Sequence, residues 1–301
     1  MTMSTTTQIM SGRDPAAARA IGRRRHRVDM AVTYACYAAT AIGLLFLASI
    51  LATLLWRGAA ALDWTVFSKE FEPTTYGDPD APRGGLLHAI VGSLIQTAIG
   101  TAIGTPIGLL VGTYLAEYAR TSPLGNAVRF VSDVLLSAPS ILIGLFIYTL
   151  VVLPLGGFSG WAGSLALAII VIPVVVRTTE DMLQLIPNTL REAVMGLGAP
   201  KWKMITLVCY KASMSGIATG VLLAVARIAG ETAPLLLTSF GNNVVSGNLS
   251  NAMASLPIAI YQMANSGFPD LIEIAWAGAL IVTTGVLLIN VLARVLLRAR
   301  T

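Results

Sequence analysis

The chain has 301 residues, of which 55% are hydrophobic and only 12% are charged, and its mean hydropathy is +0.75. This composition excludes a water-soluble monomeric globule and is typical of a membrane protein with several spans. The formal charge of +5 does not indicate nucleic-acid binding, because the basic residues lie between apolar runs. Both cysteines, Cys36 and Cys209, fall in or beside apolar runs, so neither a disulfide framework nor a metal site is expected.

Apolar runs of the length of a membrane span recur along the chain. A bilayer core of about 30 Å requires roughly 20 such residues as helix. The run 134–176 is long enough for two spans, and Pro154 to Gly157 are expected to divide it. The segment 252–264 is too short to cross and is expected to be re-entrant or interfacial. The sequence therefore predicts an all-α membrane fold with six transmembrane helices, the other four lying within 30–56, 84–116, 212–238 and 274–293.

The distribution of basic residues predicts the orientation. With six spans, most of the twenty Lys and Arg residues lie on the side of the N-terminus, which the positive-inside rule makes cytoplasmic. Both termini are then cytoplasmic. The chain is expected to divide into a basic cytoplasmic tail (1–29), a first transmembrane helix with an acidic external loop (30–84), and a membrane core (85–297). The tail is expected to be disordered and to touch membrane lipid, and the loop 57–83 to be solvated.

The inner segment 187–211 has the pattern of two short helices joined by a turn. Thr189 and Glu192 have the spacing of a capping box, which predicts a helix start near Thr189. Gly198 is expected to end this helix, and Pro200 suits the first turn of the next. Trp202 among basic residues is typical of an aromatic anchor for a partner's groove. An amphipathic connector lying on the inner leaflet is an equally good interpretation of the residues alone.

Two further patterns lie inside the predicted spans. Gly100, Gly104, Gly108 and Gly112 recur at intervals of four, which predicts a smooth face for close helix packing. Arg227 and Glu231 are charged residues at bilayer depth, where each costs about 2.5 to 3.5 kcal/mol, so they are expected to face a pathway or to form a structural ion pair.

Several motifs of the second half carry a resemblance to a known family. One motif resembles the EAA loop of permease subunits of bacterial ATP-binding-cassette (ABC) importers. It consists of Glu192-Ala193-Val194, of Gly198 six residues after Glu192, and of Val208. Tyr210 and Lys211 stand where the general pattern has Leu and Pro. The runs 197–205, 211–213 and 226–235 are similar to the permeases of phosphate importers. The resemblance covers roughly the second span to the C-terminus.

The resemblance implies a type I ABC importer permease fold. It also implies a similar second permease subunit, two ATP-binding subunits docked on the EAA loops, and an external phosphate-binding protein. Coupling to the ATPase would fall to Glu192, Ala193, Gly198, Pro200 and Trp202, and the substrate pathway to Arg227, Glu231 and Thr232. No phosphate-binding G-x-x-x-x-G-K-[ST] motif occurs in the chain, so no cofactor is expected here, and ATP and Mg belong to the partner ATPase.

Other functions remain open at this stage. A permease for another oxyanion, such as sulfate, molybdate or phosphonate, fits the same motifs. An intramembrane protease is disfavoured, because His26 and His88 are the only histidines and no H-E-x-x-H motif occurs. A membrane scaffold without transport activity would leave Arg227 and Glu231 unexplained. The sequence therefore favours a transport subunit that is not itself an enzyme.

Overall fold

The computed structural model describes residues 15–72 and 84–298, which form helices joined by short connections. Two π-helical segments, Tyr148–Val152 and Ile205–Cys209, extend the neighbouring helices. The helices in chain order are α1 (Pro15–Ala61), α2 (Trp64–Ser68), α3 (Leu87–Glu117), α4 (Pro123–Ser137), α5 (Ser140–Ile147), α6 (Leu153–Leu155), α7 (Gly160–Gln184), α8 (Asn188–Gly196), α9 (Lys201–Met204), α10 (Tyr210–Ile228), α11 (Ala233–Thr238), α12 (Leu256–Ala264) and α13 (Pro269–Arg298).

The chain divides into two compact units between Leu55 and Trp56, inside α1. The described part of the first unit is this one helix, which already begins at Pro15. The prediction of a disordered tail is therefore wrong for residues 15–29, where alanine and arginine favour helix and Pro15 suits its first position. The rest of the predicted tail, residues 1–14, lies outside the described residues.

The number of long apolar helices agrees with the prediction. Five described helices can cross a membrane, and a sixth span is reached if α4 and the helical stretch after it count as one. The third predicted span is not straight, however, because the chain bends by 105° between Ser137 and Ser140. Pro139 has no backbone N–H to continue the helix, and it holds Ala138 in an extended conformation.

The fifth predicted span is broken. A continuous helix over 212–238 was expected, but α10 ends at Ile228 and α11 begins only at Ala233. Pro234 in the first turn of α11 cannot donate a backbone hydrogen bond, so one helix cannot run through this point. The predicted short segment 252–264 contains α12, which has nine residues and is too short to cross a bilayer.

The loop between the first two spans is only partly solvated. Asp63 caps α2 by accepting a hydrogen bond from the Trp64 backbone N–H at 2.6 Å. Val66 of this helix is 2% exposed and lies in a core cluster with Leu86 and Ala89. The expectation of a fully solvated loop is thus wrong for α2, which buries an apolar side chain. Residues 73–83 of the predicted loop lie outside the described residues.

Helix α7 is at the centre of the second unit. Its small and branched side chains are buried along most of its length, including Ala166, Leu167, Val171 and Val175. Helix α3 packs along one side of α7, and α10 packs along another. The depth of a residue of α3 or α10 within the bundle can therefore be read from the α7 residue that it contacts.

Candidate functional site

The segment after α7 forms the expected helix, turn and helix. Pro187 directly precedes α8, and Gly198 has the left-handed φ of +81° that allows a tight exit from the helix. The predicted capping box is wrong, because α8 begins at Asn188 and places Thr189 inside the first turn. Pro187 fixes the start of the helix through its restricted φ instead. The helix ends at Gly196, and Gly198 adopts the left-handed conformation just after the cap, as predicted.

The predicted coupling residues share one property, which is exposure at the surface of this segment. We call residues 188–204 the coupling segment. The exposed residues are Glu192, Ala193, Gly198, Pro200 and Trp202. Trp202 is 59% exposed, and Leu197 is exposed even further, at 88%. Sequence reasoning missed Leu197, although an apolar residue directly before a helix-ending glycine is a usable signal. The segment thus presents large apolar side chains beside charged ones.

A buried ion pair holds the coupling segment to the end of α3. The Arg191 Nη2 atom lies 2.7 Å from Oε1 of Glu117, and the two side chains are only 7% and 3% exposed. The Arg191 guanidinium also donates to the carbonyl oxygens of Leu183, at 2.6 Å, and Ile186. A buried charge is tolerated when it is paired and its remaining donors are satisfied. Arg191 therefore anchors α8 to both α3 and α7.

A lysine makes a second attachment at the same place. Lys201 Nζ donates to the Glu117 carbonyl oxygen at 2.5 Å and lies 4.1 Å from the centroid of the Tyr118 ring. Both helices of the coupling segment are thus fixed to the last turn of α3, Arg191 from α8 and Lys201 from α9. Any displacement of the segment must move the end of α3 with it or break these contacts.

A second buried pair ties α4 to α7. Arg129 Nε donates to Oε1 of Glu180 at 2.7 Å, and Glu180 is 3% exposed. The same guanidinium donates to the carbonyl oxygens of Leu115 and Ala119, at 3.1 and 3.2 Å. Neither buried pair was predicted, because their members are distant in the chain. The only sequence signal was that each carboxylate stands at the end of an apolar run.

The four glycines of α3 lie against α7. A Cβ atom added to Gly104 would lie 2.8 Å from Val171 Cβ, and one added to Gly108 would lie 2.6 Å from Val175 Cβ. Gly100 and Gly112 face α7 in the same way, at Leu167 and Thr179. These distances are too short for any side chain, so the two helices touch backbone to side chain along four turns. We call this contact the glycine seam.

Arg227 and Glu231 lie at the break between α10 and α11. Arg227 is in the last turn of α10, and Glu231 follows the helix end, so the two residues do not lie on one continuous helix. Arg227 Nε is 3.8 Å from Glu231 Oε1, and the side chains are 40% and 16% exposed. Neither side chain hydrogen-bonds to another described residue. Thr232 follows at the start of α11 and is half-buried.

The depth of this break follows from its packing on α7. Ile228 is in one core cluster with Val171 and Val175, which lie near the middle of the helix Gly160–Gln184. About two turns earlier in α10, Gly220 packs on Thr178. An arginine whose guanidinium donates to no other described residue therefore lies near the midpoint of the bundle, at a helix break. Broken helices at the midplane are the usual place for substrate and ion sites in membrane transporters.

The comparisons with known proteins agree with this architecture. Residues 104–301 match the family model of binding-protein-dependent transport system inner membrane components. The chain is 53% identical over 259 residues to the phosphate transport system permease protein PstA of Pasteurella multocida, covering 86% of this chain and 90% of that protein. It is 50% identical over 260 residues to the protein of the same name from Haemophilus influenzae, covering 86% and 89%.

A solved structure shares the fold. The crystal structure of a bacterial ABC transporter that imports the acidic polysaccharide alginate superimposes with a TM-score of 0.64, at 16% identity, over 92% of this chain and 99% of that one. The fold is thus that of an ABC importer permease. The chain belongs to the binding-protein-dependent transport system inner membrane components and, within them, to the PstA family.

Family membership settles several of the expectations. The chain is a multi-pass protein of the bacterial inner membrane and a transport subunit, not an enzyme. It works with a substrate-binding protein and with an ATPase on a partner subunit.

Proposed function

We propose that this chain forms half of the translocation pathway of an ATP-driven importer of inorganic phosphate. The observation that carries the proposal is the Arg227 guanidinium, which lies at mid-bundle with a long ion pair of 3.8 Å and with donors that bond to no other residue in the described part of the chain. A guanidinium stays charged at any accessible pH, and its planar fork of donors matches the oxygens of phosphate. The PstA relatives, whose names state phosphate transport, support phosphate as the cargo.

Glu231 makes the site selective for phosphate over sulfate. Phosphate near neutral pH still carries a proton and can donate a hydrogen bond, whereas fully ionised sulfate can only accept. Glu231 accepts that hydrogen bond, or holds Arg227 until the anion arrives. Thr232, at the same break, adds a hydroxyl group. Binding here is weak and brief, because a tight site inside a pump would trap its cargo.

The coupling segment is the docking surface for the ATPase. Its apolar side chains, Trp202 and Leu197 above all, enter a groove of the ATP-binding subunit, and Glu192 and Lys203 lie at the rim. Arg191 and Lys201 pass the movement to Glu117 at the end of α3. The glycine seam then passes it from α3 to α7, on which the broken helix packs. ATP and Mg stay on the partner.

The proposed assembly has a defined orientation and composition. The coupling segment faces the cytoplasm with both termini, in accordance with the basic residues on that side. The partners are a homologous PstC-like permease that supplies the other half of the pathway, two PstB-like ATPases, and a PstS-like external binding protein. Membrane lipid surrounds the bundle, and no nucleic acid takes part.

Uptake of labelled phosphate tests the proposal, at low external supply, in cells with and without this chain. We expect uptake to depend on the chain and to compete with unlabelled phosphate but not with sulfate, molybdate or phosphonate. Competition by one of the latter would assign the chain to another oxyanion. Glu231→Gln should lower uptake and weaken the preference for phosphate over sulfate, and unchanged values would limit Glu231 to a structural role.

A further inference from the structure

A polar cavity lies at the end of the bundle opposite the coupling segment. It has a volume of about 210 Å³ and lies between α3, α12, α13 and the loop after α11. The polar side chains in its wall come from His88, Asn242, Asn243, Ser255, Gln262 and Ser266. None of the lining residues is a lysine, an arginine or a carboxylate. The cavity is therefore polar but carries no fixed charge of its own.

Two of these polar groups are buried without a partner. His88 is 4% exposed and Ser255 is not exposed at all. The His88 Nδ1 atom and the Ser255 hydroxyl have no hydrogen-bond partner among the residues that the structure describes. Ser255 stands at the N-cap of α12, where a serine usually caps the helix with its side chain, yet it makes no such bond. An unsatisfied buried polar group is unfavourable, and a bound ligand would supply the missing hydrogen-bond partner.

The surrounding structure holds these groups in place. The Phe71 ring lies 6.4 Å from the His88 ring in an edge-on arrangement. Gln96, two turns further along α3, donates to the Ala254 carbonyl oxygen at 3.0 Å and fixes the chain just before Ser255. The Val245 backbone N–H donates to a Glu70 carboxylate oxygen at 3.1 Å, which ties down the loop that carries Asn242 and Asn243. The cavity is thus built from parts that are fixed independently of any ligand.

The position of the cavity defines which side of the membrane it serves. His88 is in the first turn of α3, and Glu117, which holds the coupling segment, is in the last. A helix of 31 residues is about 45 Å long, enough to span the membrane. Since the coupling segment faces the cytoplasmic ATPase, the cavity faces the external side, from which cargo arrives.

We infer that this cavity is an external entry site for monovalent, doubly protonated phosphate. The inference rests on the proposed function, which supplies the cargo. A site without a cation favours a ligand of low charge that both donates and accepts hydrogen bonds. Dihydrogen phosphate does both, through its P–OH groups and its remaining oxygens. The Ser255 hydroxyl, the His88 ring and the amides of Asn242, Asn243 and Gln262 offer both kinds of partner in return. The site receives the anion before it reaches Arg227.

Thiol protection in the reconstituted complex, without the external binding protein, tests occupancy of the cavity. Gln262 lies exposed at the cavity and Asn248 lies exposed outside it, so Gln262→Cys and Asn248→Cys form a matched pair, both in a Cys36→Ser background. Inorganic phosphate should slow alkylation at position 262 severalfold and leave position 248 unchanged, while sulfate slows neither. Equal rates with and without phosphate, or equal protection by sulfate, would overturn the inference.

Serine substitution gives a second, independent measurement. Ser255→Ala removes one hydroxyl from the cavity, and Ser164→Ala removes an equally buried hydroxyl that bonds within α7 at 2.8 Å. We expect Ser255→Ala to lower phosphate uptake about two- to tenfold, the range for one lost hydrogen bond, and Ser164→Ala to leave it unchanged. If the wild-type complex transports no phosphate, the proposed function fails. If it does and Ser255→Ala transports equally fast, only the entry site fails.

Discussion

Two arginine–glutamate pairs of this protein are built in opposite ways. Arg191 and Glu117 lie 2.7 Å apart and are almost fully buried, and the Arg191 guanidinium also donates hydrogen bonds to backbone carbonyl oxygens. Arg227 and Glu231 lie 3.8 Å apart, with the arginine 40% exposed and its donors unused among the described residues. The first pair is complete as it stands. The second pair has the same charges, but they are far enough apart and exposed enough to bind another charged group.

The difference shows how one type of ion pair serves structure or function. A buried, fully bonded pair holds two helices in one arrangement, and removing a partner leaves an uncompensated charge. A loose pair in an open site contributes little stability, because long side chains and water weaken it. We therefore propose that the first pair holds the coupling segment to α3 and that the second pair binds the transported phosphate.

The largest expected effect comes from Glu117→Ala. It leaves Arg191 buried without its counter-charge, which costs roughly 3 to 5 kcal/mol. We expect a lower thermal midpoint of the purified complex and loss of phosphate-stimulated ATP hydrolysis. Asp181→Ala is the matched control, because it breaks a pair with Arg177 that is about half exposed on both sides, at 3.4 Å. That variant should change the stability by no more than about 1 kcal/mol. Equal thermal midpoints for the two variants would show that burial does not distinguish the pairs.

Sequence reasoning could not have found the first pair. The two residues are 74 positions apart, and only the parallel packing of α3 and α7 brings them together. The second pair could be found, because Arg227 and Glu231 interrupt an apolar run. Its geometry was nevertheless predicted incorrectly, since nothing in the run except Pro234 and Gly230 indicates a helix break. Apolar length predicts the number of spans, but the positions of breaks depend on local backbone chemistry.

A smaller effect is expected at the glycine seam, which lies on the proposed route from the coupling segment to α7. Gly108→Ala places a methyl group 2.6 Å from Val175 Cβ, and such overpacking typically costs about 1 to 3 kcal/mol. We expect a lower thermal midpoint and a reduced number of phosphate ions moved per ATP. Gly285→Ala in α13 is the control, since its added methyl group meets no described atom within 4 Å. If Gly108→Ala behaves like Gly285→Ala, the seam is not a tight contact.

The smallest effect on stability is expected at the surface of the coupling segment. Trp202 is 59% exposed, so Trp202→Ala should change the free energy of unfolding by less than about 0.5 kcal/mol. The affinity of the Trp202→Ala permease complex for the ATPase should nevertheless fall about tenfold or more, as expected when an aromatic anchor is lost from an interface. Trp64→Ala, at a 77% exposed tryptophan of α2, should leave that affinity unchanged. Binding of the isolated ATPase to the permease complex in nanodiscs measures both. Equal affinities would remove Trp202 from the docking surface.

The role of the second pair can be measured with Arg227→Gln in proteoliposomes that contain the complete importer. Because its ion pair is long and partly exposed, the variant should assemble and melt like the wild type. Its phosphate uptake should fall about tenfold or more, since a charged hydrogen bond is worth about 1.5 to 3 kcal/mol. Uptake at the wild-type rate by the assembled variant would show that the anion does not pass by this guanidinium.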